Sequence, residues 1–153
     1  MGCETLLKAF SKSLIKSSAS SIPQDKRINE ALIRVNYDVF GTVYDDNNDN
    51  GTNDNESGVD NVTLTLYADN NADGVLDAGD TVITTTTSGT DGSYSFLHVC
   101  IQNTIVAVTV PTDDGTFTYT LTTPATQAID SINTNVSGVD FGINEKAVIS
   151  YNV

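Results

Sequence analysis

From about Val35 onward the chain alternates short β-branched or aromatic runs with clusters of Asn, Asp, Gly and Ser. Strand candidates fall at 35–44, 61–68, 81–87, 93–99, 104–110, 116–123 and 137–143. Each is bounded by turn residues, such as Gly89-Thr-Asp-Gly92 and Asp113-Asp-Gly115. Alternation of period two is clear in Val62, Leu64 and Leu66, and in Tyr119 and Leu121 set against Thr118, Thr120 and Thr122. Such alternation gives a strand one face for a core and one for water. Short strands at regular spacing predict an all-β sandwich. Residues Ala147-Val-Ile-Ser-Tyr-Asn-Val153 read as one further strand, with no obvious partner in the chain if it lies beyond the sandwich.

Residues 1–34 follow another period. Leu6, Leu7, Phe10, Leu14 and Ile15 fall near one helical face, with Lys8, Lys12 and Lys16 mostly opposite. This predicts a short amphipathic helix over 4–17. Ser17-Ser-Ala-Ser-Ser21 and Pro23 end it. A second short helical attempt spans Gln24 to Ile33, and a flexible basic tail is the competing reading. The expected organisation is an extension at 1–34 for assembly or docking, a sandwich at 35–144, and a strand or tail at 145–153.

Two of the polar clusters have ligand spacing. Asp69, Asn71, Asp73, Asp77 and Asp80 place oxygen side chains at positions 1, 3, 5, 9 and 12 of a loop, with Gly74 at position 6. Calcium is a hard cation that takes about 6–8 oxygen ligands, and such a loop supplies them with the position-7 carbonyl, here Val75. Gly74 is required where the chain turns sharply. Asp46, Asn48, Asn50 and Asp54 repeat positions 1, 3, 5 and 9, with Gly51 at 6 and Thr52 at 7. Here the closing acid, Glu56, comes one residue early. The early acid and the two asparagines predict a weaker site. The competing reading is a pair of acidic turns that need no metal. The flanking runs have strand character, so these loops clip strands together and do not open helices.

Charge sharpens the picture. Residues 1–36 hold six of the seven basic residues and net +3; residues 37–153 hold Lys146 alone against 17 acids and net −16. A domain so acidic repels nucleic acid, whose binding needs clustered Lys and Arg. It also repels itself unless cations neutralise it. The expectation is two calcium ions. No run of 18 apolar residues encodes a membrane span. The lysines interrupt any secretion-signal core, and Met1-Gly2-Cys3 lacks the Ser or Thr that an acylation site wants at position 6. The export route stays open.

Several phrases in order resemble a known family. They are Val39-Phe-Gly-Thr-Val-Tyr-Asp-Asp46, Gly58-Val-Asp-Asn-Val-Thr-Leu-Thr-Leu-Tyr67, Thr84-Thr-Thr-Thr87, Asp91-Gly-Ser-Tyr-Ser-Phe96 and Val139-Asp-Phe-Gly-Ile143. Together, over roughly 35–144, they resemble the B domains of serine-aspartate-repeat surface proteins, which belong with the collagen-adhesin B-type, transthyretin-like domains. The resemblance implies an extracellular, Ig-like or transthyretin-like β-sandwich stiffened by calcium, acting as a stalk or scaffold. It carries the ligand role to Asp46, Asn48, Asn50, Asp54 and Glu56. The chain departs from the family at Val99-Cys-Ile-Gln-Asn103, where a proline-glycine turn is usual. It also departs in having Arg34 and no lysine on the first strand, so no internal Lys–Asn isopeptide bond is expected.

Catalytic chemistry has little to build on. His98 is the only histidine and has no ligand cluster with it, and no glycine-rich phosphate loop precedes a helix. The chain is expected not to be an enzyme. Cys3 and Cys100, the only cysteines, are a possible disulfide within one chain or between two, or two free thiols. Sequons occur at Asn50, Asn55, Asn61 and Asn135. The leading expectation is the repeating subunit of an extracellular or cell-surface fibre, partnered by copies of itself or by other surface proteins. The alternative is a monomeric adhesin or carbohydrate-binding domain, disfavoured by the absence of Trp. A third is an accessory domain of an enzyme.

Overall fold

The computed structural model describes residues 36–100, 102–130 and 132–149. The expected helix at 4–17, the helical attempt at 24–33 and Cys3 lie outside the described residues. Eight strands are formed: β1 (Asn36–Asp45), β2 (Thr63–Ala68), β3 (Thr81–Thr87), β4 (Ser93–Cys100), β5 (Thr104–Thr109), β6 (Phe117–Leu121), β7 (Thr126–Ile129) and β8 (Phe141–Ala147). They make two four-stranded sheets, in the orders β4-β1-β8-β6 and β3-β2-β5-β7. The fold is an all-β sandwich.

The alternation read from the sequence is what fills the space between the sheets. Val39 and Val43 of β1, Phe96 of β4 and Phe141 and Ile143 of β8 meet Leu64 and Leu66 of β2 and Val106 and Val108 of β5. Burying one such side chain contributes about 1.5–3 kcal/mol. Tyr94 packs edge-on against Phe96, and its buried hydroxyl donates to the Val139 carbonyl. Burial, helped by the charge of Asp140, pushes its pKa well above the ordinary tyrosine value. Gly41 lies beneath this contact. A Cβ there would stand 1.9 Å from the Val139 oxygen, so the close approach requires glycine.

Two boundaries differ from expectation. Residues 137–140 pair as a loop, with the Val139 amide on Phe40 O and Asp140 Oδ1 accepting from the Thr42 amide, so the last strand starts at Phe141. It then runs to Ala147, through the expected break at 144/145, and the Val148 amide still bonds Thr116 O. The residues read as a separate partnerless strand therefore begin as the end of β8, antiparallel to β6. The four-residue β7 was not expected.

Register fixes where the ends lie. Asn36 pairs with Cys100, and Ala68 pairs with Thr104, only four residues further on. The start of β1 and the end of β2 thus share one pole, here termed proximal. The Val59 amide bonds Val43 O just before β2 begins, so the end of β1 and the start of β2 share the other, distal pole. β8 is parallel to β1, with Val43 opposite Phe141 and Asp45 opposite Ile143. The chain therefore enters the sandwich at the proximal pole and leaves it at the distal one.

Tyr94→Phe removes the donor to Val139 while keeping the ring. We expect a loss of about 1–3 kcal/mol, because a buried carbonyl is left unpaired. Thermal melting checks this; an unchanged midpoint would show that the hydroxyl contributes nothing.

Candidate metal centres

The two ligand-spaced loops close opposite poles. The distal loop, 46–57, follows β1, and the proximal loop, 69–80, follows β2. Both are folded by the same set of bonds. Asp46 is buried, and its Oδ1 and Oδ2 accept from the amides of Asn50 (3.0 Å) and Gly51 (2.7 Å). Asp69 is also buried, and accepts from the amides of Asp73 (3.3 Å) and Gly74 (3.0 Å). At position 3, Asn48 Oδ1 and Asn71 Oδ1 each accept the amide two residues on. At position 5, Asn50 Oδ1 and Asp73 Oδ1 do the same from Thr52 and Val75. Gly51 and Gly74 take φ of 70° and 72°, the left-handed turn that admits this wrapping.

Position 9 faces positions 3 and 5 in the distal loop. Asp54 Oδ2 accepts from Asn48 Nδ2 (3.2 Å) and Asn50 Nδ2 (2.7 Å). In the proximal loop Asn71 Nδ2 bridges Asp73 Oδ2 (2.9 Å) and Asp77 Oδ2 (3.3 Å). The closing acids correspond although their spacing does not. Asp80 Oδ1 accepts from the Asn70 amide at 3.1 Å, and Glu56 Oε1 accepts from the Asn47 amide at 3.1 Å. Both amides are at loop position 2. Glutamate's extra methylene makes up for the missing residue.

The second oxygens differ. Asp80 Oδ2 takes the Asp77 amide, whereas Glu56 Oε2 is buried without a hydrogen-bond partner. A buried, unpartnered carboxylate oxygen in a loop with oxygen side chains at positions 1, 3, 5 and 9 fits a hard cation. Among the described residues, however, no three Asp, Glu, His or Cys side chains are gathered at metal-holding distance. The side chains at positions 3, 5 and 9 are instead bonded to one another. A cation would have to replace those amide contacts, with the asparagine oxygens turned inward.

The distal loop is also tied to β8. The Asp46 amide bonds Ile143 O, and buried Asn144 gives its Nδ2 to Asp46 O and Asp49 Oδ1. Lys146 approaches Asp49 at 3.7 Å, an exposed pair of small energetic weight. Burial pushes the Asp46 carboxyl up. The Thr122 hydroxyl beside it and the Gly51, Asn50 and Asp49 amides more than offset this and hold it below the usual carboxylate range. That hydroxyl lies outside hydrogen-bond geometry, so the amides carry the effect. Glu145 is pushed up by burial first, then by Asp45, Asp60 and Asp114, which makes this end of β8 an acidic rim.

The remaining candidates are placed as follows. His98 lies in β4, exposed, with a left-handed φ of 60° and its amide on Asp38 Oδ1. Cys100 ends β4 and is disulfide-bonded. Asn144 was not foreseen, whereas closure of the shorter loop by an inward-reaching Glu56 was. Nothing local to Asn144 marks it as a partner of the distal loop.

No family model matches the chain. Solved structures similar to it include three Gram-positive pilins. The shaft pilin of Lactobacillus rhamnosus GG is 13% identical with a TM-score of 0.49, over 76% of this chain and 51% of that one. The major pilin subunit of Bacillus cereus is 18% identical at 0.47, over 71% and 30%. The minor pilin of Streptococcus agalactiae is 12% identical at 0.46, over 78% and 48%. The chain spans about half the length of the shaft pilin it matches. At such identities and scores, the function of those pilins stays their own.

Glu56→Ala tests the closure. It should weaken calcium binding in the distal loop at least tenfold and leave the proximal loop unchanged, as read by calorimetric titration. An equal effect on both, or none on either, would show that Glu56 is not a ligand.

Proposed function

We propose that the chain is a calcium-stiffened structural module of the cell surface, and the repeating subunit of a fibre. The observation that carries this reading is the parallel pairing of β1 with β8, which puts the chain's entrance and exit at opposite poles of a sandwich. A module built this way passes axial load from one pole to the other. Each pole is closed by one ligand-spaced loop. Calcium in both would hold the ends of β1 and β2 and neutralise part of the −16 carried by residues 37–153. Among the described residues, no helix is long and apolar enough to cross a membrane.

The ligands would be Asp46, Asn48, Asn50, Asp54, Glu56 and the Thr52 carbonyl in the distal loop. In the proximal loop they would be Asp69, Asn71, Asp73, Asp77, Asp80 and the Val75 carbonyl. The bound ion supplies only charge and coordination; no reaction is assigned. A carbohydrate-binding role would need an aromatic platform. Among the described residues, Phe40 alone of the exposed large hydrophobics is aromatic.

Axial assembly has a direct test. In calcium, the full chain should form filaments by negative-stain microscopy. Deleting residues 1–34 should leave a folded, calcium-binding monomer that no longer polymerises. Filaments formed normally by the shortened chain would rule out assembly through that segment.

A further inference from the structure

At the distal pole β8 outruns the strand beside it. β1 stops at Asp45, opposite Ile143, while β8 continues to Ala147 along β6. The distal loop fills the gap only as far as Lys146, through Asn144 on Asp46 O, the Glu145 amide on Asp45 Oδ1, and Lys146 near Asp49. Beyond it, Val148 and Ile149 are 42% and 73% exposed. Among the described residues these apolar positions just past β8 have a backbone partner only on the β6 side, through the Val148 amide on Thr116 O, which makes a ready template for an added segment.

Its surroundings are acidic. Asp45, Asp60, Asp113, Asp114 and Glu145 gather around the β6–β8 end. The segment with the opposite character is residues 1–35. It carries six of the seven basic residues and the apolar set Leu6, Leu7, Phe10, Leu14 and Ile15. It joins the sandwich at Asn36, at the proximal pole. In an end-to-end row, the proximal pole of one copy meets the distal pole of the next.

We propose that residues 1–35 of one copy dock on Val148 and Ile149, just past the end of β8 and inside its carboxylate rim, in a neighbouring copy. This rests on the fibre reading above and names its contact surface. Two acidic distal poles repel each other, so the contact is between unlike surfaces. A contact between unlike surfaces that does not close propagates as a filament. Opposite charge favours encounter and loses force as salt is added.

The test uses the full chain in calcium, as a mixture of isotope-labelled and unlabelled copies, with a photoreactive amino acid at position 149. Cross-links should join that position to peptides from 1–35 of the other isotopic form. Ile149→Asp adds like charge and removes apolar surface. It should weaken assembly at least tenfold by sedimentation, with melting and calcium binding unchanged. Cross-links to β3 or the proximal loop, or only within one copy, would overturn this docking and leave the fibre reading standing. So would normal assembly of Ile149→Asp. A full chain that stays monomeric at every concentration would overturn the fibre reading itself, and this contact with it.

Discussion

A carboxylate removed from water must be held by donors or by a cation, and the ends of this sandwich are shaped by that requirement. Asp46 and Asp69 are buried at the ends of β1 and β2. Each gathers two amides from its own loop, which forces the loop to wrap and demands a left-handed residue at Gly51 or Gly74. The distal loop is pinned to β8 through Asn144, so the last strand and the first loop are one unit. The same bonds that satisfy Asp46 therefore set the geometry of the pole from which the chain leaves.

Parallel pairing of β1 and β8 turns this local chemistry into an axis. Had the last strand been antiparallel to the first, both chain ends would emerge at one pole and copies could not be threaded in line. With the ends at opposite poles, charge becomes directional. The basic segment attaches at the proximal pole, and the acidic rim around Glu145 lies at the distal one. Side-by-side contact between bodies of like charge is unfavourable, and the contact proposed above sets unlike charges end to end instead.

Much of this was legible in the sequence, for identifiable reasons. Val62, just before β2, and Leu64 and Leu66 within it alternate because they share the face that packs into the core. The residues at loop positions 1, 3 and 5 stand at fixed offsets because each side chain accepts an amide two to five residues on, which is a local constraint. What could not be read depends on pairing. The parallel register of β8, the bond from Asn144 to a loop 98 residues away and the run of β8 past Glu145 have no local signal. β7 is four residues long and was lost for that reason. The early position of Glu56 lowered the expected affinity of the distal site, although an inward-reaching glutamate can still close the shorter loop.

The central claim is that both loops hold calcium and thereby stiffen the module. Calorimetric titration of the metal-free chain with calcium, paired with thermal melting, tests it most directly. Two ions per chain should bind, and each site should add about 2.7 kcal/mol at one hundred times its dissociation constant, raising the melting temperature. No binding heat, together with a melting temperature that chelator leaves unchanged, would contradict the account.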